Sequence, residues 1–325
     1  MSSHAQLRER LFETPKAGRR VALIGAPSDV GAGHRGGCMG PEALRVAGLT
    51  RELAGLGVDV DDWGNLAGPA NPCAPAREGC RHLKETVSWC AAVRDQVYAA
   101  LGEQRLPILL GGDHALSVGS IAGVAKHCAE VGRPLSVVWL DAHADFNTPE
   151  SSESGNIHGM PVAVLDGKGP KELTGLGHDV PILPSNRVIQ IGIRSVDHVE
   201  KRAVLESGLS VYDMRTIDER GMRTVMDEAL ARATADGAHL HVSFDVDFLD
   251  PMIAPGVGTT VPGGPSYREA QLCMEMIHDA GGPDSLDIME LNPAFDHGNK
   301  TAELAVEMTK SLFGEQILAR HFMQK

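Results

Sequence analysis

The chain has 325 residues, and its 43 Asp and Glu against 30 Lys and Arg leave a formal charge of −13, which opposes a phosphate backbone and removes nucleic acid from the expected partners. Hydrophobic residues make up 42%, aromatics 4%, and there are 37 glycines, a balance that suits a loop-rich α/β enzyme and argues against a disordered or fibrous chain. No apolar run reaches the roughly 18 to 20 residues of a membrane span, so no membrane partner is expected.

The opening residues mix Arg8, Arg10 and Lys16 with Glu9 and Glu13 and lack an apolar run. A secretory signal is not expected there, and a cytoplasmic location is. Residues 1–18 read as a flexible N-terminal segment. The six cysteines, Cys38, Cys73, Cys80, Cys90, Cys128 and Cys273, show no CxxC spacing, so reduced thiols are expected.

Along the chain, short apolar runs at 21–24, 108–110, 137–140, 188–191, 240–244 and 286–289 read as buried parallel strands. Helical patterns at 82–101, 118–131, 222–235, 267–280 and 301–313 alternate with them. This order predicts an α/β fold with a parallel sheet and helices on both faces. The Pro- and Gly-rich stretch 64–77 reads as a long surface loop within one domain spanning 1–325. In such sheets ligands bind beyond the carboxyl ends of the strands, so the polar residues after each run are where chemistry is sought.

Three of those ends are dense in acid and imidazole: LLGGDHALS with Asp113 and His114, VVWLDAHADFNTP with Asp141, His143 and Asp145, and VSFDVDFLDP with Asp245 and Asp247. Alternation in an extended segment would point Asp141, His143 and Asp145 to one side, and Asp245 with Asp247 likewise. Clustered carboxylates at the end of a buried sheet repel one another and lose solvation, a penalty that divalent cations reverse. His114, Asp141, His143, Asp145, Asp245 and Asp247 supply too many ligands for one tetrahedral zinc. They suit two octahedral ions sharing carboxylates, and the oxygen-rich set favours Mn²⁺. A pair of ions about 3.5–4 Å apart can lower the pKa of a bridging water so that hydroxide is available near neutral pH.

At these motifs the sequence resembles the ureohydrolases, the family of arginases, agmatinases and related guanidino hydrolases, over about residues 21–305. The resemblance implies a three-layer α/β/α fold with a central, mostly parallel eight-stranded sheet, two Mn²⁺ per subunit held by the six residues above, and a homo-oligomer, trimeric or hexameric. NTPESSESGNIHGMP, from Asn147, is similar to the arginase loop, which implies that Asn147, Ser154 and Asn156 contact a substrate α-carboxylate and that His158 lies at the mouth of the site. GIRSVDHVE supplies Asp197 and Glu200 for the α-amino group, directly or through water. MELNP supplies Glu290, whose carboxylate would pair with the guanidinium, and Thr259 in GTTVPGG is a further substrate contact.

The implied reaction is hydrolysis of L-arginine to L-ornithine and urea by a metal-bridging hydroxide, with Asp145 relaying a proton to the departing amine and His158 exchanging protons with solvent. The alternative is another guanidino hydrolase, such as agmatinase or guanidinobutyrase. In isolation Asn147 and Ser154 would read as turn residues and Asp197 as a helix N-cap. Two departures from the family pattern stand near the site: Phe248 replaces the usual glycine of FDVDGLDP, and GTTVPGG replaces the common arginase form GTPVVGG.

Overall fold

The computed structural model describes residues 18–177 and 179–318, so the segment 1–18 lies almost wholly outside the described residues. The strands are β1 (Arg20–Gly25), β2 (Asp59–Asn65), β3 (Leu106–Leu110), β4 (Leu135–Leu140), β5 (Val188–Ile193), β6 (Ser210–Asp213), β7 (His239–Asp245) and β8 (Ser285–Met289). They form one eight-stranded sheet in the order β2-β1-β3-β8-β7-β4-β5-β6. Every pairing within it is parallel, which sharpens the expectation of a mostly parallel sheet.

The central strands form because both of their faces are covered. LSVVWL in β4 and VIQIGI in β5 are buried at every position, the pattern of a parallel strand between helical layers. On one face lie α1 (Gly40–Val46), α2 (Leu49–Gly55), α8 (Met214–Arg220), α9 (Met222–Ala233), α10 (Tyr267–Asp279) and α11 (Lys300–Leu312). They bury Leu44, Leu53, Ile217, Met226, Cys273 and Met308 against that side of the sheet. On the other lie α3 (Leu83–Gly102), α4 (Ser117–Val131), α5 (Pro161–Leu165), α6 (Lys171–Thr174) and α7 (His198–Ser207), with Trp89, Val93, Ile121, Val162 and Leu173 buried there. Local signals set the helix ends. Ser266 and Glu269 form a capping box at the start of α10, and Gly132 at φ 66° closes α4 in the left-handed conformation that favours glycine.

All six expected strands are present. The two edge strands, β2 and β6, were not expected, and the loop read from residue 64 therefore starts inside β2. The sheet order places the carboxyl ends of β3, β8, β7, β4 and β5 side by side, and an acidic motif follows each of these five strands.

Candidate active site

The turn after β3 is built on close backbone packing. A Cβ on Gly112 would lie 1.6 Å from the Ser28 carbonyl oxygen, so only glycine fits. Asp113 then accepts the Gly31 and Ala115 N–H groups at 2.9 and 3.1 Å and turns the chain so that His114 enters the site. The His114 ring is buried and stacks on Trp139 with centroids 4.1 Å apart. Its Nε2 forms a hydrogen bond with Ser243 Oγ at 2.8 Å. The other ring nitrogen, Nδ1, faces Asp245 at 2.9 Å, Asp141 at 3.1 Å and Asp145 at 3.3 Å.

A second nest adjoins the first. His143 Nδ1 lies 3.0 Å from Asp247 and 3.5 Å from Asp141. Asp141 belongs to both: its Oδ2 faces His114 and accepts Trp139 Nε1–H at 2.9 Å, while Oδ1 faces His143 and accepts that residue's N–H at 2.6 Å. All six expected ligands are thus brought together.

The route to this convergence differs from the extended alternation expected. β4 stops at Leu140, and Asp145 adopts φ 51°, a left-handed conformation. Asp247 stands in a 3₁₀ turn over Val246–Phe248, with its N–H donated to Asp245 Oδ1 at 2.7 Å and its own Oδ1 accepting Ala142 N–H at 3.1 Å. Strained backbone of this kind persists where the surroundings over-determine it, commonly at functional sites. Glu290, at φ 63° after β8, is a second instance.

Burial and mutual repulsion dominate the electrostatics of these groups. Burial, then repulsion from Asp141, pushes the Asp145 carboxyl well above the usual carboxylate range. Burial with repulsion from Asp247 does the same to Asp245, and burial raises Asp247. Burial works against a charged His114, yet Asp141 and Asp145 outweigh it and hold the ring up at about 9. Two imidazole nitrogens and four buried carboxylates, grouped as His114, Asp141, Asp245 and as Asp141, His143, Asp247, with Asp145 beside the first, fit a pair of divalent ions.

These groups open on a cavity of about 330 Å³ lined by Asn147, Ser154, Asn156, His158, Asp197, Glu200, Thr259 and Glu290 as well as by five of the six metal-site residues. Fully buried Asp141 alone stands behind the wall. Glu290 Oε1 accepts the His114 N–H at 2.8 Å and His158 Nδ1–H at 2.9 Å. Burial opposes charge on both groups, but the pairing wins, lowering the pKa of Glu290 and raising that of His158. His158 is therefore Glu290's partner as well as a residue at the mouth. Asn147 donates to Asp197 at 3.0 Å, and Asp197 is also the residue that starts α7, so cap and cavity wall are one residue. Both Glu200 oxygens are engaged by backbone, accepting Phe146 N–H at 2.7 Å and Asp197 N–H at 3.0 Å.

Comparison with known proteins agrees with this geometry. The model of the arginase family matches residues 19–314. The chain belongs to the arginase family. It is 45% identical over 299 residues to an arginase of Brucella melitensis, covering 92% of this chain and 97% of that one. An arginase of Bacillus subtilis is 43% identical over 302 residues, with 92% and 99% covered. The crystal structure of the Bacillus caldovelox arginase superposes with a TM-score of 0.88 at 40% identity, covering 93% of this chain and all of that one.

Several residues of this arginase-family site escaped the sequence reading. Ser152, Gly33, His34 and Ser195 also line the cavity. Ser152 and Ser195 had a signal, since they sit within the NTPESSESGNIHGMP and GIRSVDHVE segments already singled out; Gly33 and His34 lie in the loop after β1. Ser243 had one too: β7 reads His239, His241, Ser243, Asp245 on one face, all buried, where an apolar face would be usual. Phe248 is fully buried and its ring lies over Gly192, where a Cβ would come within 2.5 Å of it. The Phe248 carbonyl, with those of Gly192, Asp247, Leu249 and Val261, is bonded by the Arg194 guanidinium. This clamp ties the metal-site turn to the GTTVPGG segment.

Proposed function

We propose that this chain hydrolyses the guanidinium group of L-arginine to L-ornithine and urea, with two Mn²⁺ ions held by His114, Asp141, His143, Asp145, Asp245 and Asp247. The observation that carries the reading is Asp141, one carboxylate shared by two imidazole nests, with Glu290 opening on the same cavity. When bound, the metal pair supplies Lewis-acid activation of water near neutral pH.

The protein's own groups do the rest. Glu290 is oriented through Oε1 by the His114 N–H and by His158, and its carboxylate is offered to the planar guanidinium, which fixes the carbon for attack. Asp145, whose carboxyl is pushed up by its neighbours, is placed to carry a proton to the departing amine nitrogen. His158 keeps about a fifth of its side chain exposed (19%) and passes protons between Glu290's surroundings and solvent. Asn147, Ser154 and Asn156 receive the α-carboxylate end and Asp197 the α-amino group, with Thr259 a further substrate contact lining the cavity. Glu200, with both oxygens engaged, acts by holding Asp197 in place.

Relatives named arginase support the substrate. A homo-oligomer, trimeric or hexameric, a cytoplasmic location and one domain over 1–325 belong to the same reading. Incubating Mn²⁺-loaded protein with L-arginine, agmatine and 4-guanidinobutyrate and measuring urea tests it. Urea from L-arginine in large excess is the expected result; release mainly from the carboxylate-free amine would overturn the substrate.

A further inference from the structure

Residues 71–82, read from sequence as part of a plain loop and the start of a helix, make a set of contacts that the proposed chemistry does not use. Arg77 and Cys80 exchange backbone hydrogen bonds at 2.7 and 2.9 Å. Glu78 and Gly79 between them both have positive φ, 49° and 74°, the mark of a tight type I′ hairpin. This hairpin lies directly on the 147–158 loop. The Arg81 N–H donates to the Gly155 carbonyl at 2.7 Å. A Cβ on Gly79 would meet the Pro149 oxygen at 2.2 Å, and one on Gly155 would meet Ala76 Cβ at 2.9 Å. Three points of backbone-level contact fix one segment against the other.

The hairpin is in turn anchored to the loop that carries Gly33 and His34. Asn71 Nδ2 donates to the Asp29 carbonyl at 2.9 Å and to its carboxylate at 3.1 Å. The central anchor is His82, which adopts φ 52° and ψ 36° immediately before α3. Its Nδ1–H donates to the Val30 carbonyl at 2.7 Å, which leaves Nε2 to accept the Ala74 N–H at 3.0 Å. A histidine in a left-handed conformation with both ring nitrogens bonded to backbone is over-determined in the sense that strained functional positions are. Val30 adjoins Gly31, whose carbonyl accepts the His158 N–H and whose N–H is held by Asp113. The imidazole therefore pins together the loops on both sides of the cavity mouth.

We infer that His82 is a positioning residue for substrate selection: through the Arg77–Cys80 hairpin it holds Ser154 and Asn156 where an α-carboxylate is read, while its ring's own hydrogen bonds go to Val30 and Ala74 and none reaches the metal nests or Glu290. The inference rests on the proposed arginine-hydrolysing function and specifies which part of the substrate the brace serves. Loss of the ring frees the hairpin and the Gly155 carbonyl it supports, so affinity for the carboxylate end falls. The reaction at the guanidinium, whose partners stand at the carboxyl ends of β3, β4, β7 and β8, does not.

The test uses the Mn²⁺-loaded full chain with L-arginine as substrate and two competitive inhibitors that differ only in the carboxylate, L-ornithine and 1,4-diaminobutane. His82→Ala is expected to raise KM and the L-ornithine Ki roughly 5- to 30-fold, the range for one or two lost buried hydrogen bonds, with kcat and the diaminobutane Ki within about twofold. His82→Asn, which tolerates the backbone and keeps a donor near the Nδ1 position, restores part of the loss. Equal weakening of both inhibitors, a fall in kcat at unchanged KM, or no change overturns the inference. Should His82→Ala not fold, Asn71→Ala cuts the same brace at its other end and is read by the same criteria. Wild-type protein that fails to prefer L-ornithine over the diamine removes the carboxylate subsite itself, and the proposed function with it. A wild-type preference that both variants retain removes only the brace.

Discussion

Ser243→Ala isolates the support behind the first metal nest. His114 Nε2 lies 2.8 Å from Ser243 Oγ in a site where His114 is 1% exposed, and with Nδ1 taken up by a cation Nε2 carries the ring proton and donates it to that oxygen. Truncation leaves that N–H buried without its acceptor. An unsatisfied buried donor costs about 1–3 kcal/mol. Since the metal-bound state depends on that tautomer, the cost falls on binding, and Mn²⁺ affinity is expected to drop roughly 10- to 100-fold. The assay is a Mn²⁺ titration of metal-free protein by calorimetry, with Ser243→Thr as the variant that keeps the hydroxyl. Circular dichroism confirms that the fold survives. Unchanged affinity in Ser243→Ala, or an equal loss in Ser243→Thr, would show that this serine does not hold His114 in its ligand tautomer.

Other outcomes follow from the same geometry. Phe248→Ala empties the space over Gly192 and should cost about 3–5 kcal/mol in denaturant unfolding, a drop in Tm of roughly 5–8 °C for a chain of this size; a loss under about 1 kcal/mol would mean the ring is replaceable by local collapse. Asp247→Ala should abolish turnover and leave less metal per chain, whereas a fully active variant removes Asp247 from the ligand set. Burial beside a neighbouring His holds His239 down at about 3, even against Asp284. The unfolded chain therefore takes up this proton first, and stability is full above about pH 6.5 and drains as pH falls towards 3. Between pH 7 and 5 the wild type should lose on the order of 1–2 kcal/mol more than His239→Gln, measured by urea unfolding at each pH; parallel pH profiles would count against it.

Legibility in the sequence followed burial. The six strands expected are those whose apolar runs are covered on both faces, as in β4 and β5. β2, reading Asp-Val-Asp-Asp-Trp-Gly-Asn and half open to solvent at the sheet edge, looks like an acidic loop, and β6 has only four residues. The short helices α1, α2, α7 and α8 carry too few turns for periodicity to stand out. The convergence of His114, Asp141, His143, Asp145, Asp245 and Asp247 was legible because that density of acid after apolar runs has little structural use. Their backbone was not: the left-handed turn at Asp145 and the 3₁₀ turn at Asp247 come from tertiary packing that no residue spacing encodes. His82 left no mark either, since its partners are backbone carbonyls and amides eight and 52 positions away.

One carboxylate, Asp141, joins the two imidazole nests at the head of the sheet, and the proposed function puts a cation in each. Elemental analysis of the full chain after equilibration with Mn²⁺ and removal of free metal tests it most directly. Two ions per chain in the wild type, falling in Asp141→Ala, are what the geometry requires; a wild-type content of one or none would contradict it.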